Sequence, residues 1–127
     1  DHLDVVLLVL LQRRQLAGQR LVQAPHPVVD RAVLVHMYAE IENPYALLWN
    51  LAPALKSGGR VGVIDLDQST QNHGVPPALL KCEFEAVGYK QVSEAPLDAG
   101  VGYLAVFEAP TKLPKPADIV ACNDPDT

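Results

Sequence analysis

The sequence predicts an α/β fold in which helices pack on a mostly parallel sheet. Two stretches, residues 28–37 with a continuous apolar core at 32–35 and the short apolar run at residues 60–65, are typical of strands in a covered sheet. Helical patterns separate the predicted strands, and this alternation favours parallel pairing with right-handed crossovers. Two further strand-like stretches, residues 89–97 and 102–109, are joined by a short turn, so we expect a closing antiparallel hairpin.

Composition and charge narrow the class of protein and of partner. The chain has 127 residues, which suits one domain, and 49% of them are hydrophobic, which is enough for a packed core. Its formal charge of −5 gives no electrostatic reason to expect nucleic acid or an anionic membrane as a partner. The apolar run at residues 5–11 is too short to span a bilayer, and acidic residues precede it where a signal peptide would be basic. We therefore expect a soluble cytoplasmic protein with neither a nucleic-acid nor a membrane partner.

The two cysteines, Cys82 and Cys122, lie far apart in the sequence and lack the CxxC spacing of many metal and redox sites. Reduced thiols are the expected state in a cytoplasmic protein, and a disulfide is the alternative. The sequence therefore predicts two free thiols.

Two helices are predicted between the strands. The first begins at Pro44, with Asn43 as its N-cap, and is expected to end at Gly58–Gly59. Pro53 is incompatible with a regular helix interior, so a kink or an irregular turn is expected there. The second helix is predicted over residues 77–87. Its inward face is expected to comprise Leu80, Phe84 and Val87.

Polar side chains follow the ends of the two central predicted strands. Because α/β sheets bind ligands at the carboxyl ends of their strands, His36 and Tyr38 are candidates for substrate contact, and His36 is a candidate base. The alternative is a structural role, with His36 hydrogen-bonded and Tyr38 packed in the core. Asp65 and Asp67 follow the next strand and, with His73, contain the donor types of a metal site. Aspartate at a strand-to-loop junction is usually a turn former, so no metal is expected there.

Four stretches of the later sequence follow one another in a characteristic order. The first is a strand, the second a helix with a Leu-Lys-x-Gly-Gly turn and a strand, the third a helix that ends in Gly-Tyr, and the fourth a final strand. They are residues 30–43 (DRAVLVHMYAEIEN), 47–65 (LLWNLAPALKSGGRVGVID), 74–89 (GVPPALLKCEFEAVGY) and 102–109 (GYLAVFEA). Together they resemble the second half of the Rossmann-like S-adenosyl-L-methionine (SAM)-dependent methyltransferases. The resemblance implies a partial methyltransferase sheet, in which the family's fourth, fifth, seventh and sixth strands lie side by side.

The resemblance also implies a function, a cofactor and site residues. It divides the chain into a segment of uncertain origin (1–27), the carboxyl-terminal half of a methyltransferase-like domain (28–110) and a proline-rich tail (111–127). A complete member of the family transfers the methyl group of SAM to an acceptor, here expected to be a small molecule. The implied cofactor contacts are Asp30, His36 and Met37, and the implied catalytic candidates are His36, Tyr38 and His73. The alternative is an inactive methyltransferase-like module that works by self-association or by partner binding.

The sequence departs from the family in the segment that would bind the cofactor. The family begins with a strand that runs into a glycine-rich turn, and before Asp30 this chain has a single glycine, Gly18. We therefore expect the chain to be a fragment or truncated member that binds SAM weakly or not at all. The first strand of this half-sheet would lack its inner neighbour, so residues 4–11, or a second copy in a homodimer, are expected to cover that edge. The run at residues 4–16 is expected to be a buried strand, with a buried helix as the alternative.

Overall fold

The computed structural model describes residues 6–9, 29–98 and 102–124, the first group by its backbone. These residues form a five-stranded sheet whose buried face packs against two helices. The strands are β1 (Val6–Val9), β2 (Val29–Val35), β3 (Leu55–Asp65), β4 (Lys90–Pro96) and β5 (Tyr103–Glu108). The helices are α1 (Pro44–Leu51) and α2 (Pro77–Ala86), and 3-10 turns cover Tyr38–Glu40, Ala52–Ala54, Thr70–Asn72 and Pro116–Asp118.

The strand order is β1-β2-β3-β5-β4, with β1, β2 and β3 parallel to one another and β5 antiparallel to both of its neighbours. The predicted α/β class is confirmed, and so is the closing hairpin, in which β5 folds back between β3 and β4. The order of β2, β3, β5 and β4 is the order that the resemblance implied for the last four strands of the sheet.

The strand β1 covers the edge of β2. Val6 to Val9 pair with Arg31 to Leu34 in parallel register. The expectation that residues 4–11 supply the missing neighbour is confirmed for these four residues, and the strand interpretation of residues 4–16 is confirmed over the same span. The remainder of that segment lies outside the described residues.

One face of the sheet is buried beneath the helices. Buried side chains alternate with half-buried ones along β5, and β2 and β3 show the same alternation toward their carboxyl ends. The sheet residues of this core are Ala32, Leu34, Val61, Val63, Ala105 and Phe107. Leu48 of α1 and both Leu80 and Phe84 of α2 are fully buried against them. The opposite face is half-buried, whereas the apolar sequences predicted a covered sheet.

The helix α1 begins as predicted and ends earlier. Asn43 Oδ1 accepts a hydrogen bond from the Ala46 amide at 3.1 Å, and Pro44 occupies the first helical position. The prediction that the helix continues to Gly58–Gly59 is wrong, because α1 gives way to a 3-10 turn that contains Pro53. Proline has no N–H and its ring clashes with the preceding turn, so the regular helix stops before it.

Gly58 and Gly59 lie inside β3 rather than at the end of a helix. Gly58 has a φ of +76°, and the pairing of β2 with β3 is irregular in this part of the sheet. A Cβ at Gly59 would lie 2.8 Å from the Lys56 carbonyl oxygen and 3.2 Å from that of Asp30. The glycine pair therefore allows two backbones to approach closely at the amino ends of β2 and β3.

The helix α2 agrees with the prediction in its bounds and in its buried face. Leu80, Phe84 and Val87 are fully buried, and Gly88 ends the helix with a φ of +98°. The ring of Phe84 stacks on that of Phe107 in β5 with the centroids 3.9 Å apart. This stacking fixes α2 against the centre of the sheet.

The tail folds back across α1 and α2. Trp49 Nε1 donates a hydrogen bond to the Pro114 carbonyl oxygen at 2.8 Å, and the Cys122 amide donates to the hydroxyl of Tyr45 at 2.7 Å. Ile119 packs against the hydrophobic core from the tail side. The division of the chain at residues 27 and 110 stays a prediction.

A disulfide between Cys82 and Cys122 joins the tail to α2. The prediction of two reduced thiols is therefore wrong, and its cause is physical: the pairing depends on the path of the tail over α2, which no local pattern encodes. Disulfides persist in oxidising compartments and are rare in the cytosol, so the cysteines do not support a cytoplasmic location. None of the helices in the described parts of the chain is both long and apolar enough to cross a bilayer.

Candidate functional site

The candidate site is the carboxyl edge, by which we mean residues 36–40 and 65–73, directly after β2 and at the end of β3. His36 leaves β2 in the left-handed region with a φ of +51°, and its amide donates to the Ile64 carbonyl oxygen at 2.9 Å. This bond extends the β2–β3 pairing by one residue and turns the chain. The side chain of His36 is exposed at the end of the strand, where a ligand can reach it.

Asp65 ties the end of β3 to the turn that follows β2. It is the buried charged residue of the described core, with 2% of its surface exposed. One carboxylate oxygen accepts from the Leu66 amide at 2.9 Å, and the other accepts from the Ala39 amide at 3.3 Å. Burial raises the pKa of the Asp65 carboxyl, while these two backbone N–H groups and the nearby His36 act in the opposite direction. Both oxygens of Asp65 accept hydrogen bonds from backbone amides and so hold the two chain segments together at this edge.

Tyr38 is a buried hydrogen-bond donor. Its hydroxyl donates to Glu83 Oε1 at 2.8 Å, and its ring stacks on Phe84 with the centroids 5.6 Å apart. Burial and the neighbouring Glu83 carboxylate raise the pKa of the phenol well above its ordinary value. The phenol therefore stays protonated at neutral pH and does not act as a base. Tyr38 anchors the 3-10 turn to α2.

Glu40 and His73 form a pair across the carboxyl edge. Glu40 Oε2 lies 3.1 Å from His73 Nδ1, and the His73 side chain is 80% exposed. His73 closes the Thr70–Asn72 turn with a φ of +63°, which holds the imidazole over Glu40. A carboxylate that accepts from one ring nitrogen orients the other toward a ligand, as a general base requires.

The structure does not bring all the predicted residues to one place. Asp30 lies at the start of β2, where its carboxylate is 3.7 Å from Lys56 Nζ, and the strand length of roughly 20 Å separates it from His36. Met37 is 7% exposed and belongs to the core. Asp67 is exposed in the loop after β3.

Residue types alone did not reveal the partner of His73. Glu40 is 33 residues away in the sequence, and the two meet because parallel β2 and β3 release their loops at the same edge. The predicted adjacency of the two strands was the signal that could have found the pair. Among the described residues, no group of three or more His, Cys, Asp or Glu side chains is arranged to hold a metal ion.

Comparison with known proteins identifies the fold. No family model and no curated protein matches the sequence. Among solved structures, a SAM-dependent methyltransferase from Aquifex aeolicus is similar, with a TM-score of 0.56 and 15% identity over 68% of this chain and 49% of that one. A chain in the complex between the Haloferax volcanii Trm112 methyltransferase activator and a methyltransferase gives a TM-score of 0.53 and 15% identity over 69% of this chain and 58% of that one.

The chain thus spans about half the length of the solved structures that it matches. At such low identity the similarity is one of fold. The fold is the partial methyltransferase sheet that the sequence predicted, with β5 reversed between β3 and β4.

Proposed function

We propose that this chain is the carboxyl-terminal half of a SAM-dependent methyltransferase domain whose carboxyl edge faces the cofactor and a small-molecule acceptor. The observation that supports the proposal is the sheet order β2-β3-β5-β4 with one reversed strand, found together with similarity to methyltransferase structures. A fold alone does not determine a function, so the proposal also requires side chains at the carboxyl edge that can bind an acceptor and take its proton.

The carboxyl edge offers two kinds of group. Asp65 and Tyr38 are buried and engaged, and they position the turn after β2. His36 and the Glu40–His73 pair are accessible and can take a proton from an acceptor. SAM, when bound, supplies an activated methyl group. The protein groups then contribute alignment of the acceptor and removal of its proton.

The described residues fit the acceptor side of such a site better than the cofactor side. The glycine pair Gly58–Gly59 lies at the amino end of β3, at the opposite end of the sheet from His36. No glycine-rich turn therefore follows a strand at the carboxyl edge within residues 29–98 and 102–124. We accordingly expect weak binding of SAM to the 127-residue chain.

A nuclear magnetic resonance titration of the ¹⁵N-labelled chain with SAM tests the proposal. We expect unsaturated shift changes at millimolar SAM that are concentrated in residues 36–40 and 65–66. Amides of β4, which lies at the far side of the sheet, serve as the internal control. An unrelated nucleotide, GTP, should not reproduce the pattern. Changes that spare the carboxyl edge would contradict the proposed site, and saturation at micromolar SAM would contradict the incomplete cofactor side.

A second candidate function is that of an inactive module that associates with a copy of itself. The strand β1 ends the sheet, and its outer edge has no neighbouring strand among the residues that the structure describes. An open edge of this kind can accept a strand from another chain. Sedimentation velocity over a wide concentration range separates the candidates, because a strict monomer at the highest concentration argues against association.

A further inference from the structure

The covalent link between the tail and α2 is placed where a reductant can reach it. Cys82 is exposed on α2, and Cys122 of the tail is half-buried. The bond closes a loop with a sequence separation of 40 residues, so it joins parts of the chain that no short connection holds together. An accessible disulfide with a structural consequence is a candidate for exchange with other thiols.

The other described contacts of the tail lie near the surface, where Leu113 and Ile119 pack against the core. Its hydrogen bonds to α1 are those of Trp49 Nε1 to the Pro114 carbonyl and of the Cys122 amide to the hydroxyl of Tyr45. No residue of the described tail, 111–124, is fully buried. An open groove of about 370 Å³ remains between α1 and the tail, lined by Trp49 and Ile119 among others. The disulfide therefore adds a covalent link to a tail whose described residues are all half-buried or exposed.

Asp124 of the tail contacts the loop that carries His73, the histidine of the Glu40–His73 pair. Thr70 Oγ1 donates to Asp124 Oδ2 at 2.7 Å, two residues beyond the half-cystine. Thr70 begins the 3-10 turn, and its carbonyl accepts from the His73 amide at 3.3 Å. Asp124 therefore helps to hold the turn that sets His73 against Glu40.

We propose that Cys82–Cys122 is a thiol–disulfide exchange site whose reduction by a dithiol protein or small dithiol releases the tail and loosens the His73 loop. The link to the His73 loop rests on the proposed function of the carboxyl edge. The release of the tail does not.

The exchange balances with a dithiol as the only co-reactant. A thiolate of the reductant attacks Sγ of Cys82, which is the more exposed residue of the two, and forms a mixed disulfide, and Cys122 leaves as a thiolate that takes up a proton. The second thiol of the reductant then attacks the reductant's own sulfur and releases Cys82, which is protonated in turn. The protein gains two electrons and two protons, and the reductant becomes a disulfide.

Trp49 reports directly on the release because it is the chain's one tryptophan and it bonds to the tail. We expect reduction with dithiothreitol to shift the Trp49 emission to longer wavelength and to increase its quenching by acrylamide. Mass analysis after alkylation confirms that two thiols have formed. The C82S/C122S variant, checked for folding by circular dichroism, should show the released spectrum with and without reductant. Unchanged Trp49 emission after complete reduction would overturn the proposal.

Hydrogen exchange tests the coupling to the loop separately. On reduction, the amides of Asn72, His73 and Gly74 should exchange faster, while those paired between β3 and β5 keep their rates. A T70V variant should reproduce the faster exchange in the oxidised chain without changing the Trp49 emission, since it removes only the bond to Asp124. Equal exchange in oxidised and reduced chains would overturn the coupling. Neither readout depends on SAM, so failure here is distinguishable from failure of the proposed function.

Discussion

Single residues at the carboxyl edge divide into those that hold the backbone and those that a ligand can reach. Asp65 and Tyr38 are each at most 3% exposed, and their polar atoms are bonded within the protein. His36 and His73 lie at the surface on left-handed backbone, which is uncommon outside glycine. Both residues lie where the chain turns after β2 or after the Thr70–Asn72 turn, and histidine is among the non-glycine residues that are enriched in this region.

Removal of the Tyr38 hydroxyl tests whether Tyr38 is an anchor. Tyr38→Phe leaves the partly buried Glu83 carboxylate without its donor, so we expect a loss of about 1.5–3 kcal/mol in the free energy of unfolding. Tyr89→Phe is the matched control, because its hydroxyl donates to the neutral Leu48 carbonyl at 2.7 Å and should cost about 1 kcal/mol. Urea denaturation measures both. Equal losses would show that the charge of Glu83 is irrelevant to the anchor.

We expect the Glu83 carboxyl group to make the free energy of unfolding depend on pH. Its burial raises the pKa above the ordinary 4.5, the nearby Asp124 carboxylate raises it further, and the hydrogen bond from Tyr38 lowers it in part. Because the folded state favours the protonated form, this contribution to stability is complete below pH 4.5 and is lost as the pH rises through the higher folded-state pKa.

Glu83→Gln keeps an acceptor for Tyr38 and removes the titration. We therefore expect the variant to gain stability relative to the parent as the pH rises through that window, and to match it most closely at the acid end. Denaturation curves recorded for both proteins at a series of pH values give the difference. Parallel profiles across the window would refute the assignment.

At the scale of elements, the starts of helices were predictable and one helix end was not. The N-cap of Asn43 and the position of Pro44 are local signals, and the structure has both. Gly58–Gly59 carry the local signal of a helix stop, yet the chain uses them within β3, where two backbones approach. A glycine pattern indicates positions where a side chain is unfavourable, but the neighbouring backbone that makes it unfavourable is known only from the fold.

The crowding at Gly59 gives a test at this scale. Gly59→Ala would place a Cβ 2.8 Å from the backbone oxygen of Lys56, so strand β3 must shift and we expect a loss of about 1–3 kcal/mol. Gly62→Ala in the same strand is the control, since its Cβ would lie 3.6 Å from Leu104 Cδ1 and should cost less than about 1 kcal/mol. Thermal unfolding of the two variants measures both losses of stability. Unchanged stability of the Gly59→Ala variant would mean that the backbones are not in close approach.

For the whole molecule, the sequence predicted the sheet order and missed the contacts that cross it. The order of the last four strands was implied by the resemblance of the sequence to the methyltransferase family, and the alternation of strands with helices favoured parallel pairing. The pairs Glu40–His73 and Cys82–Cys122 join residues 33 and 40 positions apart, and each depends on the path of a loop or tail. The sequence pattern placed His36, Asp65 and His73 at or after the ends of the correct strands, whereas it did not indicate which side chains they contact, and Asp30 and Met37 lie away from the carboxyl edge.

The last prediction concerns the contribution of the disulfide to the stability of the whole chain. Closing a loop of 40 residues restricts the unfolded ensemble, so C82S/C122S should lower the free energy of unfolding by about 2–4 kcal/mol. The parent chain in dithiothreitol should give the same denaturation curve as the variant, because the two differ only in sulfur and oxygen atoms. A loss below about 0.5 kcal/mol, within the range of an ordinary surface change, would show that closing this loop does not stabilise the folded chain.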